Sequence, residues 1–298
     1  MFTPRASNPP LAMALMLLAS VFIAMTTLLA KAIGTGALGE PLHPLQVSHG
    51  RFLFAFLGFG CAAAILRPAI RQADIKLHVA RASFGWLGVS LMFAAVAYIP
   101  LSDATAISFL NPVFAMMLAI PLLGEKVGRI RWTAAAIALA GALILLRPGP
   151  ESFQPAALLA LAAAMLLGAE IICIKHLSGR EPVFQILLIN NAIGLAIASL
   201  AVIAVWQPPT MQQWAALAGI GLCMATAQVC FVNSVARADA SLVVPLSYAT
   251  LVFATLYDFA IFAVVPDGVS VIGALVIITG AALLAWREGR VRKAGRAA

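Results

Sequence analysis

The chain has 298 residues, 63% hydrophobic and 10% charged, whereas soluble domains carry about 25% charged residues. Too few polar side chains remain to cover a water-soluble globule, so the composition points to a lipid-embedded protein. The net charge of +8 is spread over short segments between apolar runs, which argues for membrane orientation and against a nucleic-acid partner.

A spanning helix needs about 20 apolar residues, because each backbone amide must be satisfied within the segment. Breaks at charges, proline and glycine predict ten spans, at 10–32, 43–66, 80–99, 101–122, 131–147, 154–176, 182–206, 212–236, 240–264 and 268–286. The first run, from Leu11, has the apolar character of a signal sequence. No cleavage site interrupts it, and it reads as a retained helix.

With the N-terminus inside, sixteen of the 19 Lys and Arg residues fall in inner segments, including Arg67, Arg71 and Lys76 between spans two and three and Arg81 at the inner end of span three. Only Arg147 falls in an outer loop. Both termini are therefore expected in the cytoplasm. The cysteines and histidines show no paired or ligand spacing, so no disulfide, metal or cofactor is expected.

The fourth span opens with DATAISFLNP at Asp103 and the ninth with DASLVVPLSY at Asp239, each an aspartate suited to cap a helix and each followed by an interior proline. LLAKAIG, ending at Gly34, is echoed by ICIKHLS, ending at Ser178. Five spans per half is an odd number, so the second half enters from the opposite face. The expected fold is all-α, with two inverted five-helix repeats, residues 1–149 and 150–298.

Charges inside a bilayer are costly unless paired or wetted, which directs attention to Arg51, Glu170 and Asp258. Arg51 and Asp258, with Lys31 at the end of span one, fall in outer halves of their spans and fit one vestibule. There a guanidinium suits a substrate carboxylate, or the two charges pair with each other. Glu170 lies in the inner half of span six, as a proton carrier or as a helix-packing acid.

Neutral polar candidates for the path are Asn111 beside Pro112, Tyr248 near Pro245, Gln228, and Asn190 with Asn191. Prolines free backbone carbonyls, which suit a cavity wall. Trp86 offers an aromatic face. Gly219 and Gly221 read as close helix-packing sites. No paired carboxylates, histidine cluster or nucleophile with base suggests an enzyme.

The stretch IPLSDATAISFLNPVFAMMLAIPLLGEKVGRIRW from Ile99, the helix ending in LLRPG, and VVPLSYATLVFATLYDFAIF from Val243 before VPDG resemble the EamA-type branch of the drug/metabolite transporter superfamily. That family usually carries Gly-Glu before Pro-Asp, where Ala263 and Val264 stand here. The resemblance implies a ten-helix basket in the bacterial inner membrane, exporting amino acids or related metabolites by alternating access, and with no specific interface signal in the residues a monomer is expected. Sugars, nucleosides and amphipathic drugs are the alternative cargo, and the family also includes uptake systems.

Overall fold

The computed structural model describes residues 8–68, 72–123, 129–146, 154–178, 180–235, 237, 246–247 and 249–297. Eleven helices are described: α1 (Pro9–Gly34), α2 (Pro44–Leu66), α3 (Ile75–Val96), α4 (Leu101–Ser108), α5 (Asn111–Leu123), α6 (Arg129–Leu146), α7 (Pro155–Ser178), α8 (Val183–Val202), α9 (Met211–Val235), α10 (Ala249–Phe262) and α11 (Gly268–Ala297). A 3-10 turn, Ile203–Val205, extends α8. No strand occurs among the described residues.

Helices α1, α2, α3, the α4–α5 pair, α7, α8 and α9 are each long and apolar enough to cross a bilayer. The helix α10 and the first turns of α11 are shorter apolar segments. Large apolar side chains such as Leu57, Leu143, Leu200, Phe259 and Leu275 point outward, while the interior is rich in alanine: Ala104, Ala106, Ala138, Ala160 and Ala163 are fully buried. Lipid is as apolar as leucine, so association depends on close approach through small residues. A Cβ at Gly221 would sit 2.5 Å from Phe54 Cβ, and one at Gly141 would sit 2.7 Å from the backbone of Ile277.

The helices pack in pairs. α1 runs along α9, α3 along α7 and α6 along α11, while α2 lies against both α8 and α9, and α3 also contacts α8. Span four is broken at Phe109–Leu110, just before Pro112. There the amides turn back to carbonyls three residues earlier, and proline has no N–H to continue the ladder.

One end of the bundle, the one carrying Gly34, is tied by Asp258 of α10. Its carboxylate pairs with Lys31 of α1 and also accepts from Leu101 N, at 2.8 Å. The start of α4 has no side-chain cap of its own, because Pro100 holds that position. Asp103, expected as the cap, lies inside the first turn and accepts from Ser270 Oγ at 3.0 Å. Nearby, Gln46 and Gln207 exchange two hydrogen bonds, at 2.6 and 3.1 Å.

The other end is tied by Glu181, between α7 and α8. Its carboxylate accepts from Asp74 N at 3.0 Å and Gln185 Nε2 at 2.7 Å, and meets His78 Nε2 at 2.9 Å. The helix α3 starts at Ile75, five residues before the expected span, with Asp74 Oδ1 accepting from Leu77 N at 3.2 Å. Lys76, expected between spans, is therefore helical, and Arg81, expected at the inner end of span three, lies six residues into the helix.

Three stability outcomes follow from these ties. Asp258→Leu alone leaves the Lys31 ammonium buried and unpaired, at a cost of about 3–5 kcal/mol. Adding Lys31→Met removes most of that loss and leaves about 1 kcal/mol for the missing cap, read by thermal unfolding in detergent. If the double variant is no more stable than the single one, the pair is not the origin of the loss.

Burial pushes the Glu181 carboxyl up, but the bond to His78, the Asp74 amide, the His78 charge and Gln185 outweigh it and hold the group below its ordinary 4.5. A depressed carboxylate stabilises the fold above that value and ceases to do so as pH falls through its folded value. The stability gap between wild type and Glu181→Gln is therefore open at pH 7 and narrows below about 4.5. A gap of constant size across that range would contradict this.

Ala263, which ends α10, sits at φ 53, with its amide bonded to Phe259 O at 3.0 Å. That left-handed position favours glycine, the residue usual there in the resembled family. Relief of about 1–2 kcal/mol of strain exceeds the roughly 0.4–1 kcal/mol that glycine adds to unfolded-state freedom. Ala263→Gly is expected to raise stability by about 0.5 kcal/mol in chemical denaturation, and a lower value would count against the strain.

Candidate functional site

The site is best located by polar atoms that have nothing to bond. Among the described residues, buried side-chain atoms without a partner include Ser48 Oγ, Nε and Nη1 of Arg51, Trp86 Nε1, Oδ1 of Asn190 and Asn191, and Gln228 Oε1. They lie on α2, α3, α8 and α9, which pack on one another. Native proteins leave few buried polar atoms unsatisfied, and a group of them on adjoining helices marks a place where a polar solute or water is needed.

Ser48 and Arg51 share one face of α2, a single turn apart, because residues three apart are neighbours on a helix. Arg51 is only 5% exposed, and its guanidinium lies 4.3 Å from the centre of the adjacent Phe52 ring. A Cβ at Gly194 would meet that same ring at 2.3 Å, which brings α8 against α2 at this level and sets Asn190 one turn away. Gly221 of α9 allows an equally close approach, 2.9 Å to Arg51 O from the Cβ position.

Across the bundle, Glu170 of α7 packs onto Gly85 of α3, with its Cδ 3.0 Å from where a Cβ would stand. Trp86 therefore borders the same level. Arg81, buried on the turn below, lies 3.4 Å from Glu170 Oε1 and donates to Ile186 O at 3.0 Å. Arg51 lies within electrostatic reach of both Glu170 and Arg81. Three charged groups are thus gathered between α2, α3 and α7.

Arg51, Trp86, Glu170 and Asn190 come together in this way, with Gln228 on the adjoining α9. Asn111 opens α5 beside the break in span four, and its carbonyl lies 2.9 Å from the Cβ position of Gly168 on α7. Asp258 is elsewhere. It is paired with Lys31, whose ammonium also lies 4.8 Å from the Phe262 ring centre, so Arg51 is not its partner. Tyr248 and Pro245 lie outside the described residues.

Arg81 is the member that sequence reasoning missed, having been counted only among the cations that set orientation. The signal that locates it is Asp74, an N-cap residue that starts the helix early enough to carry Arg81 two turns inside. Glu170, an isolated carboxylate in the sequence, is the ion partner of that arginine.

Comparison with known proteins follows the same line. A riboflavin transporter of Vibrio cholerae is 29% identical over 255 residues, covering 80% of this chain and 84% of that protein. The pseudopaline exporter of Pseudomonas aeruginosa is 26% identical over 216 residues, 70% of this chain and 75% of the exporter. An S-adenosylmethionine uptake transporter of Rickettsia bellii is 24% identical over 259 residues, 84% and 87% of the two chains. A protein solved as a crystal structure shares the fold, with TM-score 0.63 and 23% identity over 96% of this chain and 100% of its own. The model of the EamA-like transporter family matches residues 10–147 and 154–286. With both stretches matched and the transmembrane helices in place, the chain belongs to the EamA-like transporter family and is a multi-pass membrane transporter of small molecules.

Proposed function

We propose that this transporter exports amino acids or closely related metabolites across the bacterial inner membrane, by alternating access around the polar group centred on Arg51. The observation that carries the proposal is that guanidinium, 5% exposed with Nε and Nη1 unbonded, together with Ser48 Oγ, Trp86 Nε1 and Asn190 Oδ1 left unbonded on helices that pack on one another. Helices that were only scaffold would have no reason to bury such groups. The cargo of relatives, riboflavin and S-adenosylmethionine, forms the alternative panel.

In this reading the chain has ten spans with both termini in the cytoplasm and works as a monomer of two inverted halves, residues 1–149 and 150–298. The pairing of helices supports it. The contact of α1 with α9 answers that of α7 with α3, the contact of α2 with α9 answers that of α8 with α3, and α6 with α11 answers itself. Such a pattern suits a pseudo-two-fold axis in the membrane plane. The break before Asn111 supplies the irregular backbone tolerated at that depth only beside a cavity.

The test is counterflow in liposomes of purified protein, with labelled amino acids first, then riboflavin and S-adenosylmethionine. Saturable exchange blocked by excess unlabelled solute is expected, and a flux that never saturates would mean a channel. Asn111→Ala should preserve expression and remove most of the flux; normal flux removes Asn111 from the path. Glu170→Gln should keep counterflow while losing accumulation driven by a proton gradient. If accumulation persists, Glu170 serves as the partner of Arg81 and carries no proton.

A further inference from the structure

The charges around the proposed path do not cancel. Arg81 is held by Glu170 at 3.4 Å. Asp258 is taken by Lys31, and Glu181 by His78, Gln185 and the Asp74 amide. Arg51 alone keeps two guanidinium nitrogens, Nε and Nη1, without a bond, and 95% of the residue is shielded, since 5% is exposed. Among the described residues the group Arg51, Arg81 and Glu170 therefore carries one excess positive charge.

From this we infer that the preferred substrate is a monoanion: a carboxylate whose amino group is absent or acylated, seated on Arg51 with a planar, hydrogen-bonding body beside Trp86. The inference rests on the transport reading above and narrows its cargo. A free amino acid brings an ammonium as well as a carboxylate. Among the described residues no unengaged carboxylate stands near Arg51 to receive it, and a third buried cation beside Arg51 and Arg81 is repelled. An anion with no ammonium meets the opposite situation, because guanidinium and carboxylate match in a bidentate fork.

The unsatisfied neutral atoms describe the rest of the ligand. Trp86 Nε1 is a donor, while Asn190 Oδ1 and Gln228 Oε1 are acceptors. A body carrying both N–H and C=O, such as an acylated amide, satisfies both kinds. N-acyl amino acids have this pattern together with a single negative charge, whereas heteroaromatic carboxylic acids with ring N–H groups share the charge and supply the donor alone.

The experiment measures binding to the purified full chain in detergent, by isothermal titration and by thermal shift, so that it does not depend on flux. The probes are N-acetylphenylalanine, its carboxamide, phenylalanine, indole-3-acetate and indole-3-acetamide. Each acid should bind at least tenfold more tightly than its amide, and N-acetylphenylalanine at least tenfold more tightly than phenylalanine. Arg51→Gln should remove that preference, whereas Arg51→Lys should keep part of it.

If Arg51→Gln does not fold, Asn190→Asp serves instead. It adds a negative charge on α8, one turn from the place where Gly194 meets the Phe52 ring, and should weaken binding of both acids tenfold or more. Equal binding of acids and amides, no binding of either acid, or acid binding that ignores both substitutions overturns the inference. Failure of the transport reading is separate. Counterflow of a neutral or cationic solute, unchanged in Arg51→Gln, leaves a carrier in place and removes only the monoanion. Absence of counterflow by any solute removes the carrier.

Discussion

Inside hydrocarbon a charge is stable only opposite another charge or a dipole, and Asp258 meets both conditions at once. Its carboxylate faces the Lys31 ammonium on one side and the first free amide of α4 on the other. The positive end of a helix and a buried cation are thereby neutralised by one group. Three segments far apart in the chain, α1, α4 and α10, are held at one end of the bundle by that arrangement. The position of span four, including the break before Asn111, depends on it.

At the other end a single carboxylate again gathers several donors, but in another way. Glu181 receives a backbone amide, a side-chain amide and an imidazole, joining the start of α3 to the start of α8. Between these two ties the interior is built mainly from alanine and glycine contacts, which hold helices close without long interlocking side chains. Between these ties lie unsatisfied polar atoms of Arg51, Trp86, Asn190 and Gln228, while His78 Nδ1 is left unsatisfied at the Glu181 tie itself. A rigid frame at both ends and unmet hydrogen-bonding capacity between them are the features that a solute path requires.

Much of this was legible in the residues. Apolar run length located the helices to within a few residues in most cases, because backbone satisfaction in lipid leaves so little freedom. Arg51, Trp86, Glu170 and Asn190 were identified because polar groups stand out against an apolar background. Partner choice was harder. Nothing in a linear sequence tells that Asp258 meets Lys31, 227 residues away, or that Asp103 leaves the capping of its own helix to Asp258. Arg81 was misplaced for a related reason: a basic residue near a span end has the same appearance whether it marks the cytoplasmic side or enters the core. Its burial depends on where α3 begins, and Asp74 decides that.

The two ties also differ in kind, and the proposed repeat does not explain the difference. Counting from Asp103 and Asp239, the place of Asp258 in the first half is occupied by Leu122, which is 61% exposed. Two true copies would leave the bundle's two faces equivalent, and a carrier made from them would have no intrinsic bias between them. Here one face is tied through a lysine–carboxylate pair and the other through a carboxylate that gathers two amides and an imidazole. In the proposed carrier the balance between facing one compartment and facing the other then rests on a few unshared residues, Asp258 among them.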